Sequence, residues 1–251
     1  MSENEPVAAA QTPDGYLEFL KERRAEILGR VKDAADRAGR SVDEVSALAV
    51  SKTVDVPAVR LAWEAGWRAF GENRPQELRR KVTGCAAFPE MADARFDMIG
   101  NLQTNKINQV IEAEPTLVHS VSSLHLATAI SRRAESHGVT LPILLEVNVS
   151  GEESKSGFSP EEAAASVDEV LALPALDLRG LMTMAPAGDR DAARRTFSGL
   201  RELAERLRAA TGLPLDTLSC GMSDDFPIAV EEGATLLRLG RVVFDPGHAP
   251  A

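Results

Sequence analysis

The chain has 251 residues, of which 44% are hydrophobic and only 4% aromatic, and its formal net charge is −10 at pH 7. This length suits one large domain or two small ones, with a core built from Ala, Val, Leu and Ile. The acidic excess excludes a sequence-independent nucleic-acid binder, because such a protein needs a basic face to neutralise phosphates.

The predicted elements begin after a short disordered tail at residues 1–13. A helix at residues 16–38 follows, with apolar side chains on one face and Gly39 placed to end it. After this helix, short apolar runs alternate with helical patterns. The apolar runs lie at residues 45–52, 69–73, 96–100, 117–121, 143–149, 178–184, 216–222 and 235–240. The helical patterns between them include residues 57–65, 105–113, 123–137, 160–171, 190–210 and 224–232.

Strands that alternate with helices in this way indicate parallel βαβ units. The count of strands and the length favour a closed barrel over an open doubly wound sheet. A dinucleotide-binding sheet would also carry a Gly-x-Gly-x-x-Gly turn after its first strand, and this chain has none there. We therefore predict an α/β fold, a single (β/α)8 TIM-type barrel over residues 14–246, with the N-terminal helix preceding the first strand and a short tail at 247–251.

Targeting and metal signals are not visible in the sequence. The N-terminus lacks the basic start and apolar stretch of a signal peptide, and no apolar run approaches the roughly 18 residues of a membrane helix. Cys85 and Cys220 lie far apart, and the histidines show no metal-ligand spacing. We expect a soluble cytoplasmic protein with no metal, no membrane partner and no nucleic-acid partner.

Lys52 ends the first apolar run. A lysine amine can lose its proton in a desolvated site and condense with an aldehyde, which an arginine guanidinium cannot do. From this segment alone, a lysine that extends to solvent at a strand end is the simpler interpretation. In (β/α)8 barrels, however, the active site lies at the carboxyl ends of the strands. The strand assignments place Asn73, Ser223 and Arg238 at the same end as Lys52.

Two further segments indicate an anion site at that end. Ser223 is a natural N-cap for the helix predicted at 224–232, and a helix N-terminus offers free N–H groups to an anion. A serine that only caps its own helix is the alternative. Gly240 would let backbone amides approach a phosphate closely. Arg238 alternates with Leu237 and Leu239, so we predict that it points into the barrel, where a charge requires a partner.

An amine for an aldehyde, a cradle for a phosphate and an arginine between them suit pyridoxal 5′-phosphate (PLP). An arginine that faces the pyridine nitrogen is one of the known settings of this cofactor. Because arginine stays cationic, it would leave that nitrogen unprotonated and weaken the ring as an electron sink.

Seven runs together carry a family resemblance. They are AVSKT at 49–53, FGEN at 70–73, IGNLQTNK at 99–106, EVNVS at 146–150, SKSG at 154–157, RGLM at 179–182 and GMSDD at 221–225. Over about residues 15–244 the chain resembles the PLP homeostasis (PLP-binding) proteins, whose single barrel is similar to the N-terminal domain of alanine racemase.

The resemblance implies a role for each residue of the predicted site. Lys52 would form the internal aldimine with PLP, and Ser223 would bind the phosphate. The backbone at Gly240 and Arg241 would complete the phosphate site. Arg238 would meet the pyridine nitrogen, and Asn73 would lie beside the cofactor.

Three positions depart from the family pattern. Asp97 stands where the family usually has His, Arg74 where it usually has Tyr, and Asp245 where it usually has Gly. These changes affect the wall of the predicted site and not the residues expected to contact the cofactor.

A racemase needs a second base opposite the lysine. In the racemases this base is a tyrosine from the C-terminal β-domain of the partner subunit, whereas the one tyrosine here, Tyr16, lies in the N-terminal helix. We therefore expect a PLP-binding protein that holds or delivers the cofactor and influences amino and keto acid balance, without dedicated catalytic activity.

A low-activity PLP-dependent racemase or lyase is the alternative function. Amino acids and PLP-dependent apoenzymes are further candidate partners, and a monomer is expected. A protein-interaction module without a cofactor would leave Lys52, Ser223 and Arg238 unexplained.

Overall fold

The computed structural model describes residues 12–152 and 154–250. Eight parallel strands pair in chain order, and the last strand pairs with the first, so that the sheet closes into a barrel. This confirms the predicted (β/α)8 architecture. The strands are β1 (Ser46–Val50), β2 (Ala69–Glu72), β3 (Arg95–Met98), β4 (Val118–Val121), β5 (Leu141–Glu146), β6 (Leu176–Met182), β7 (Thr217–Ser219) and β8 (Leu236–Leu239).

Helices cover the outside of the barrel and connect successive strands. They are α1 (Pro13–Arg37), α2 (Val56–Glu64), α3 (Pro75–Cys85), α4 (Ile107–Ile111), α5 (Leu124–Ser136), α6 (Pro160–Leu171), α7 (Arg190–Thr211), α8 (Phe226–Glu231) and α9 (Arg241–Phe244). Short 3₁₀ turns lie at Val42–Glu44, Pro89–Met91 and Thr104–Lys106. The patterns named from the sequence did not include α3 or α9.

Helix α1 precedes the first strand, as predicted, but begins earlier than residue 16. Thr12 is its N-cap, and the Thr12 hydroxyl accepts a hydrogen bond from the Gly15 N–H at 3.1 Å. Pro13 is well suited to the first turn because the missing N–H of proline is not needed there. Gly39 follows the helix with φ +66°, as expected for the residue that ends it.

Most of the predicted tails lie outside the described residues. Of the tail predicted at residues 1–13, residues 1–11 are not described, and Thr12 and Pro13 form the start of α1. The predicted tail at 247–251 ends at residue 251, which is also outside the described residues. The domain limits of 14–246 remain a prediction.

The buried apolar residues form two clusters. The larger cluster fills the layer between the helices and the outside of the barrel. The smaller cluster lies inside the barrel and contains Leu48 and Val50 of β1. Because side chains alternate along a strand, Lys52 continues the inward-facing row of Leu48 and Val50 at the carboxyl end of β1. The fold therefore directs position 52 toward the mouth of the barrel.

No helix in the described part of the chain is both long enough and apolar enough to cross a membrane.

Candidate functional site

Four of the predicted site residues follow the ends of four consecutive strands. In the order of the barrel, Ser223 follows β7, Gly240 follows β8, Lys52 follows β1 and Asn73 follows β2. A Cβ atom on Gly240 would lie 3.4 Å from the Val50 Cβ atom. We call the group Lys52, Asn73, Ser223 and Gly240 the C-terminal mouth.

The Lys52 side chain is exposed in the turn that follows β1. No hydrogen bond or ion pair joins its amine to any residue that the structure describes. The amine is therefore accessible and uncommitted, as a lysine that condenses with an aldehyde must be.

A buried ion pair lies beneath the two loops that carry Lys52 and Asn73. Lys81 Nζ donates to Glu72 Oε1 and to the Ser51 carbonyl oxygen, each at 2.8 Å. The Ser51 hydroxyl donates to the same Glu72 oxygen at 2.7 Å. All three residues are fully buried. This network ties the residue before Lys52 to the residue before Asn73, and so fixes the two strand ends relative to each other.

Lys81 was missed at the sequence level. It lies on the buried face of α3 together with Leu78 and Cys85. Because lysine is not apolar, the pattern of apolar residues did not reveal this face. The available signal was the helical spacing of Lys81 from these two residues, combined with the acidic Glu72 at the end of β2.

Asn73 is half-buried and its backbone is held by close packing. A Cβ atom at Gly100 would lie 2.1 Å from the Asn73 carbonyl oxygen, so only glycine fits at position 100. The contact fixes the chain after β2 against the chain after β3.

The prediction that Ser223 caps a helix at 224–232 is wrong. Helix α8 begins at Phe226, and its N-cap, Asp225, makes no side-chain capping bond. Asp225 instead accepts from the Met222 N–H at 2.6 Å, which closes a turn before the helix. The predicted strand 216–222 also ends earlier, at Ser219, and Gly221 then adopts φ +87°. These turns carry Ser223 away from the helix start.

Ser223 instead contacts the start of the next helix. Its hydroxyl accepts a hydrogen bond from the Val242 N–H at 3.2 Å, and the residue is 5% exposed. An accepting hydroxyl still has its own proton to donate. The Ser223 hydroxyl can therefore donate to an anion at the C-terminal mouth.

Gly240 and Arg241 lie at the start of α9. Gly240 is the N-cap residue, and the first N–H groups of a helix have no partner within the helix. The Arg241 side chain is exposed, and its guanidinium donates to Asp224 Oδ2 at 2.5 Å. Because that guanidinium already has a carboxylate partner, the backbone of this segment is the part available to a ligand.

Arg238 points into the barrel, as predicted, and is 5% exposed. One guanidinium nitrogen donates to the Ser219 carbonyl oxygen at 2.8 Å and to the Ser219 hydroxyl at 2.6 Å. The other donates to the Thr183 carbonyl oxygen at 3.0 Å. Burial lowers the pKa of Arg238, although an arginine remains cationic in proteins.

A directed hydrogen-bond chain continues from Arg238. The Ser219 hydroxyl accepts from Arg238, so its proton is directed to His119 Nδ1, 3.0 Å away. His119 Nε2 then carries a proton and donates to Asp97 Oδ2 at 3.1 Å. Burial lowers the pKa of His119, which keeps the ring neutral. This tautomer is assigned from the network. Asp97, one of the departures from the family pattern, thus ends a chain that holds Arg238.

Glu146 is a second residue that the sequence-level assignment of roles missed. It ends β5, is 4% exposed, and its Oε2 atom is buried without a hydrogen-bond partner among the described residues. Burial raises the pKa of Glu146, and attraction to Arg238 opposes this rise. Unsatisfied buried polar atoms are rare in proteins, and one near Arg238 fits a barrel that takes a polar ligand.

The other two departures lie outside this hydrogen-bonded chain. Arg74 is exposed and immediately precedes α3. Asp245 accepts from the Gly247 N–H at 2.8 Å through its side chain.

Tyr16 is committed to the fold. Its hydroxyl donates to the Phe244 carbonyl oxygen at 2.9 Å. Burial, with smaller contributions from Asp245 and Asp55, raises the pKa of Tyr16 to about 12. A phenol that is neutral and already hydrogen-bonded is a poor proton acceptor.

This barrel and site define a protein of the alanine racemase barrel class, and the family model "Alanine racemase, N-terminal domain" matches residues 27–246. A pyridoxal phosphate homeostasis protein from Pseudomonas aeruginosa is 42% identical over 229 residues, which cover 91% of this chain and 96% of that protein. The chain belongs to the pyridoxal phosphate homeostasis protein family.

Solved structures agree with this assignment. A protein of unknown function from Bifidobacterium adolescentis has a TM-score of 0.86 and 38% identity, over 92% of this chain and 96% of that one. PipY of Synechococcus elongatus with PLP bound has a TM-score of 0.76 and 32% identity, over 90% and 99% of the two chains. Alanine racemase from Clostridium difficile has a TM-score of 0.70 at 17% identity and covers 94% of this chain and 56% of the racemase, so it shares the fold.

Proposed function

We propose that this protein binds PLP through a reversible covalent bond to Lys52 and serves intracellular PLP homeostasis. The observation that carries the proposal is the uncommitted Lys52 amine one strand away from Gly240, with Ser223 on the next strand. The residues present fit the cofactor, because the Ser223 hydroxyl only accepts a hydrogen bond and the Glu146 Oε2 atom is buried without a partner among the described residues.

Different residues of the C-terminal mouth would contact different parts of the cofactor. Ser223 would donate to the phosphate, and the backbone N–H groups at Gly240 and Arg241 would complete the cradle without the Arg241 guanidinium, which Asp224 holds. Because Gly240 has no side chain, its backbone N–H could approach the anion closely. Asn73 would lie beside the cofactor, on the side of Lys52 that faces away from Gly240 and Ser223.

Arg238 would face the ring nitrogen of the cofactor. Its three hydrogen bonds to Ser219 and Thr183 fix the guanidinium before a ligand arrives. When bound, PLP supplies an aldehyde that bonds reversibly to amines and a ring that accepts electrons. The fixed positive charge of Arg238 disfavours protonation of the ring nitrogen and so limits that electron acceptance.

The environments of Tyr16 and Cys220 favour a carrier over a racemase. Two-sided proton transfer needs a base opposite Lys52. Tyr16 has its hydroxyl engaged, and burial raises the pKa of Cys220 to about 12. A low-activity racemase or lyase that uses Lys52 alone is the second candidate. Amino acids and PLP-dependent apoenzymes would receive the cofactor from a monomeric protein in the cytoplasm.

The test compares cofactor binding with turnover. Addition of PLP should give the visible absorption of a lysine adduct in the wild type and in Lys21→Ala, a matched change at an exposed lysine of α1. Lys52→Ala should lack this absorption. Amino acids should then release PLP from the wild type without exchange of the Cα proton for deuterium. Rapid exchange that requires Lys52 would replace the carrier with the enzyme alternative.

A further inference from the structure

A cavity lies at the end of the barrel opposite the C-terminal mouth. Its volume is about 700 Å³. The lining includes the first residues of five strands, Ser46, Ala69, Arg95, Thr217 and Leu236. We call this cavity the N-terminal pocket. It shares none of the residues assigned to PLP.

The N-terminal pocket is strongly basic in an acidic protein. Its lining contains Arg24, Arg68, Arg95 and Arg179, against one carboxylate, Asp97. The Asp97 Oδ2 atom accepts a hydrogen bond from His119. The chain as a whole has 38 acidic residues against 28 basic ones. The excess of arginine in this pocket is therefore the reverse of the overall charge balance.

Within the described residues, two of the four arginines have carboxylate partners. Arg68 pairs with Asp93 and Arg179 with Asp177, each at 2.7 Å. Arg24 and Arg95 make no ion pair with any carboxylate in the described part of the chain. Burial and, to a smaller extent, the nearby Arg68 lower the pKa of Arg24. The positive charges of Arg24 and Arg68 repel each other in the empty pocket, and a bound anion would relieve this repulsion.

The position of Arg24 is built into the backbone. Gly66 adopts φ +101°, and a Cβ atom there would lie 3.1 Å from the guanidinium carbon of Arg24. The guanidinium therefore packs over Gly66, where the positive φ favours glycine. The pocket wall also has an apolar part, because Leu28, which is 38% exposed, and the buried Trp67 both line it.

The amino ends of barrel strands usually contribute to stability and not to chemistry. Arg24 and Arg95 make no ion pair within the described residues that would stabilise the fold. We propose that the N-terminal pocket is a second binding site, which takes a small organic anion. The anionic group would bind between Arg24 and Arg95, and an apolar body would lie against Leu28 and Trp67.

The test uses phenylphosphonate and benzoate, two anions with an apolar ring, and benzyl alcohol as the neutral analogue. Calorimetry on the wild type should show binding of at least one anion, and Arg24→Gln with Arg95→Gln should weaken it at least tenfold. Tighter binding of phenylphosphonate would assign the site to phosphate-type ligands, and tighter binding of benzoate to carboxylates. Benzyl alcohol should bind the two proteins equally.

The matched control is Arg132→Gln with Arg206→Gln, which removes the same charge from exposed positions of α5 and α7. Anion binding at the C-terminal mouth would contribute equally in all three proteins, so it does not affect the difference between them. Thermal unfolding verifies that each variant is folded. The proposal is wrong if neither anion binds the wild type, or if the control pair weakens binding as much as the pocket pair. The result does not depend on whether Lys52 binds PLP.

Discussion

The two ends of the barrel treat charge in opposite ways. Near the C-terminal mouth, the buried cations Lys81 and Arg238 are held by hydrogen bonds of 2.6 to 3.0 Å to groups of the protein. In the N-terminal pocket, Arg24 and Arg95 have no carboxylate partner among the described residues. The first end is preorganised by the fold, whereas the second retains positive charge that no carboxylate of the described residues pairs with.

This difference has an energetic basis. A buried charge costs several kcal/mol unless it is paired, so Lys81 and Arg238 require their partners for the protein to fold. Arg24 and Arg95 are more exposed, and water screens them, so the fold tolerates their repulsion. Removal of a cation should therefore lower stability at the C-terminal mouth and raise it slightly in the N-terminal pocket.

The largest effect is expected at the buried ion pair. Lys81→Met leaves Glu72 buried without its cation and should lower the free energy of unfolding by about 3 to 5 kcal/mol. Glu72→Gln combined with Lys81→Met removes both charges and retains an acceptor for Ser51, so the double variant should recover most of this loss. Urea unfolding measures both. A loss below about 1 kcal/mol in the single variant would show that the pair does not hold this end of the barrel.

The chain that holds Arg238 should have the next largest effect. Ser219→Ala removes the acceptor for a guanidinium N–H and the donor to His119, and should cost about 1.5 to 3 kcal/mol. Ser136→Ala, at an exposed helix position, is the matched control and should cost much less. If urea unfolding gives equal midpoints for the two variants, the chain from Arg238 to Asp97 contributes no measurable stability.

Glu146 should make the stability of the ligand-free protein depend on pH. Because burial raises the pKa of Glu146 in the folded state, the unfolded chain loses this proton first as the pH rises. Stability is therefore lost from the unfolded pKa of about 4.3 upward, through the raised folded pKa. Glu146→Gln should be more stable than the wild type at pH 8 by about 1 to 2 kcal/mol.

The exposed residue Glu169 provides the matched control for this pH dependence. Urea unfolding at pH 4 and pH 8 should give Glu169→Gln the same pH dependence as the wild type. If Glu146→Gln also keeps the wild-type pH dependence, burial does not raise the pKa of Glu146 in the folded protein.

The smallest effect is expected in the N-terminal pocket. Arg24→Gln relieves repulsion from Arg68 and should raise the free energy of unfolding by a few tenths of a kcal/mol at low salt, with a smaller gain at 1 M salt. Thermal unfolding at two ionic strengths measures this, with Arg132→Gln for comparison. A clear loss of stability in Arg24→Gln would mean that this arginine supports the fold, and the contrast between the two ends would not hold.

The barrel could be predicted because its signals are local. Apolar runs such as 45–52 and 235–240 alternate with helical patterns, and this alternation determines a parallel sheet. The inward direction of Arg238 followed from its place between Leu237 and Leu239, and the structure confirms it.

The details of the site depend on contacts between distant segments, which local patterns do not encode. Ser223 has the composition of a helix N-cap, yet its hydroxyl contacts Val242, nineteen residues further along the chain. Lys81 occupies a core position because Glu72, on another element, neutralises it. The unsatisfied oxygen of Glu146 appears only when the barrel closes around it.

The central claim is that Lys52 carries the cofactor, and borohydride trapping tests it most directly. The protein is incubated with PLP, reduced with sodium borohydride and digested, and the modified peptide is identified by mass spectrometry. The account predicts one dominant PLP-modified lysine, Lys52, and no comparable modification elsewhere in Lys52→Arg. Dominant labelling of another lysine in the wild type, or unchanged labelling in Lys52→Arg, would contradict it.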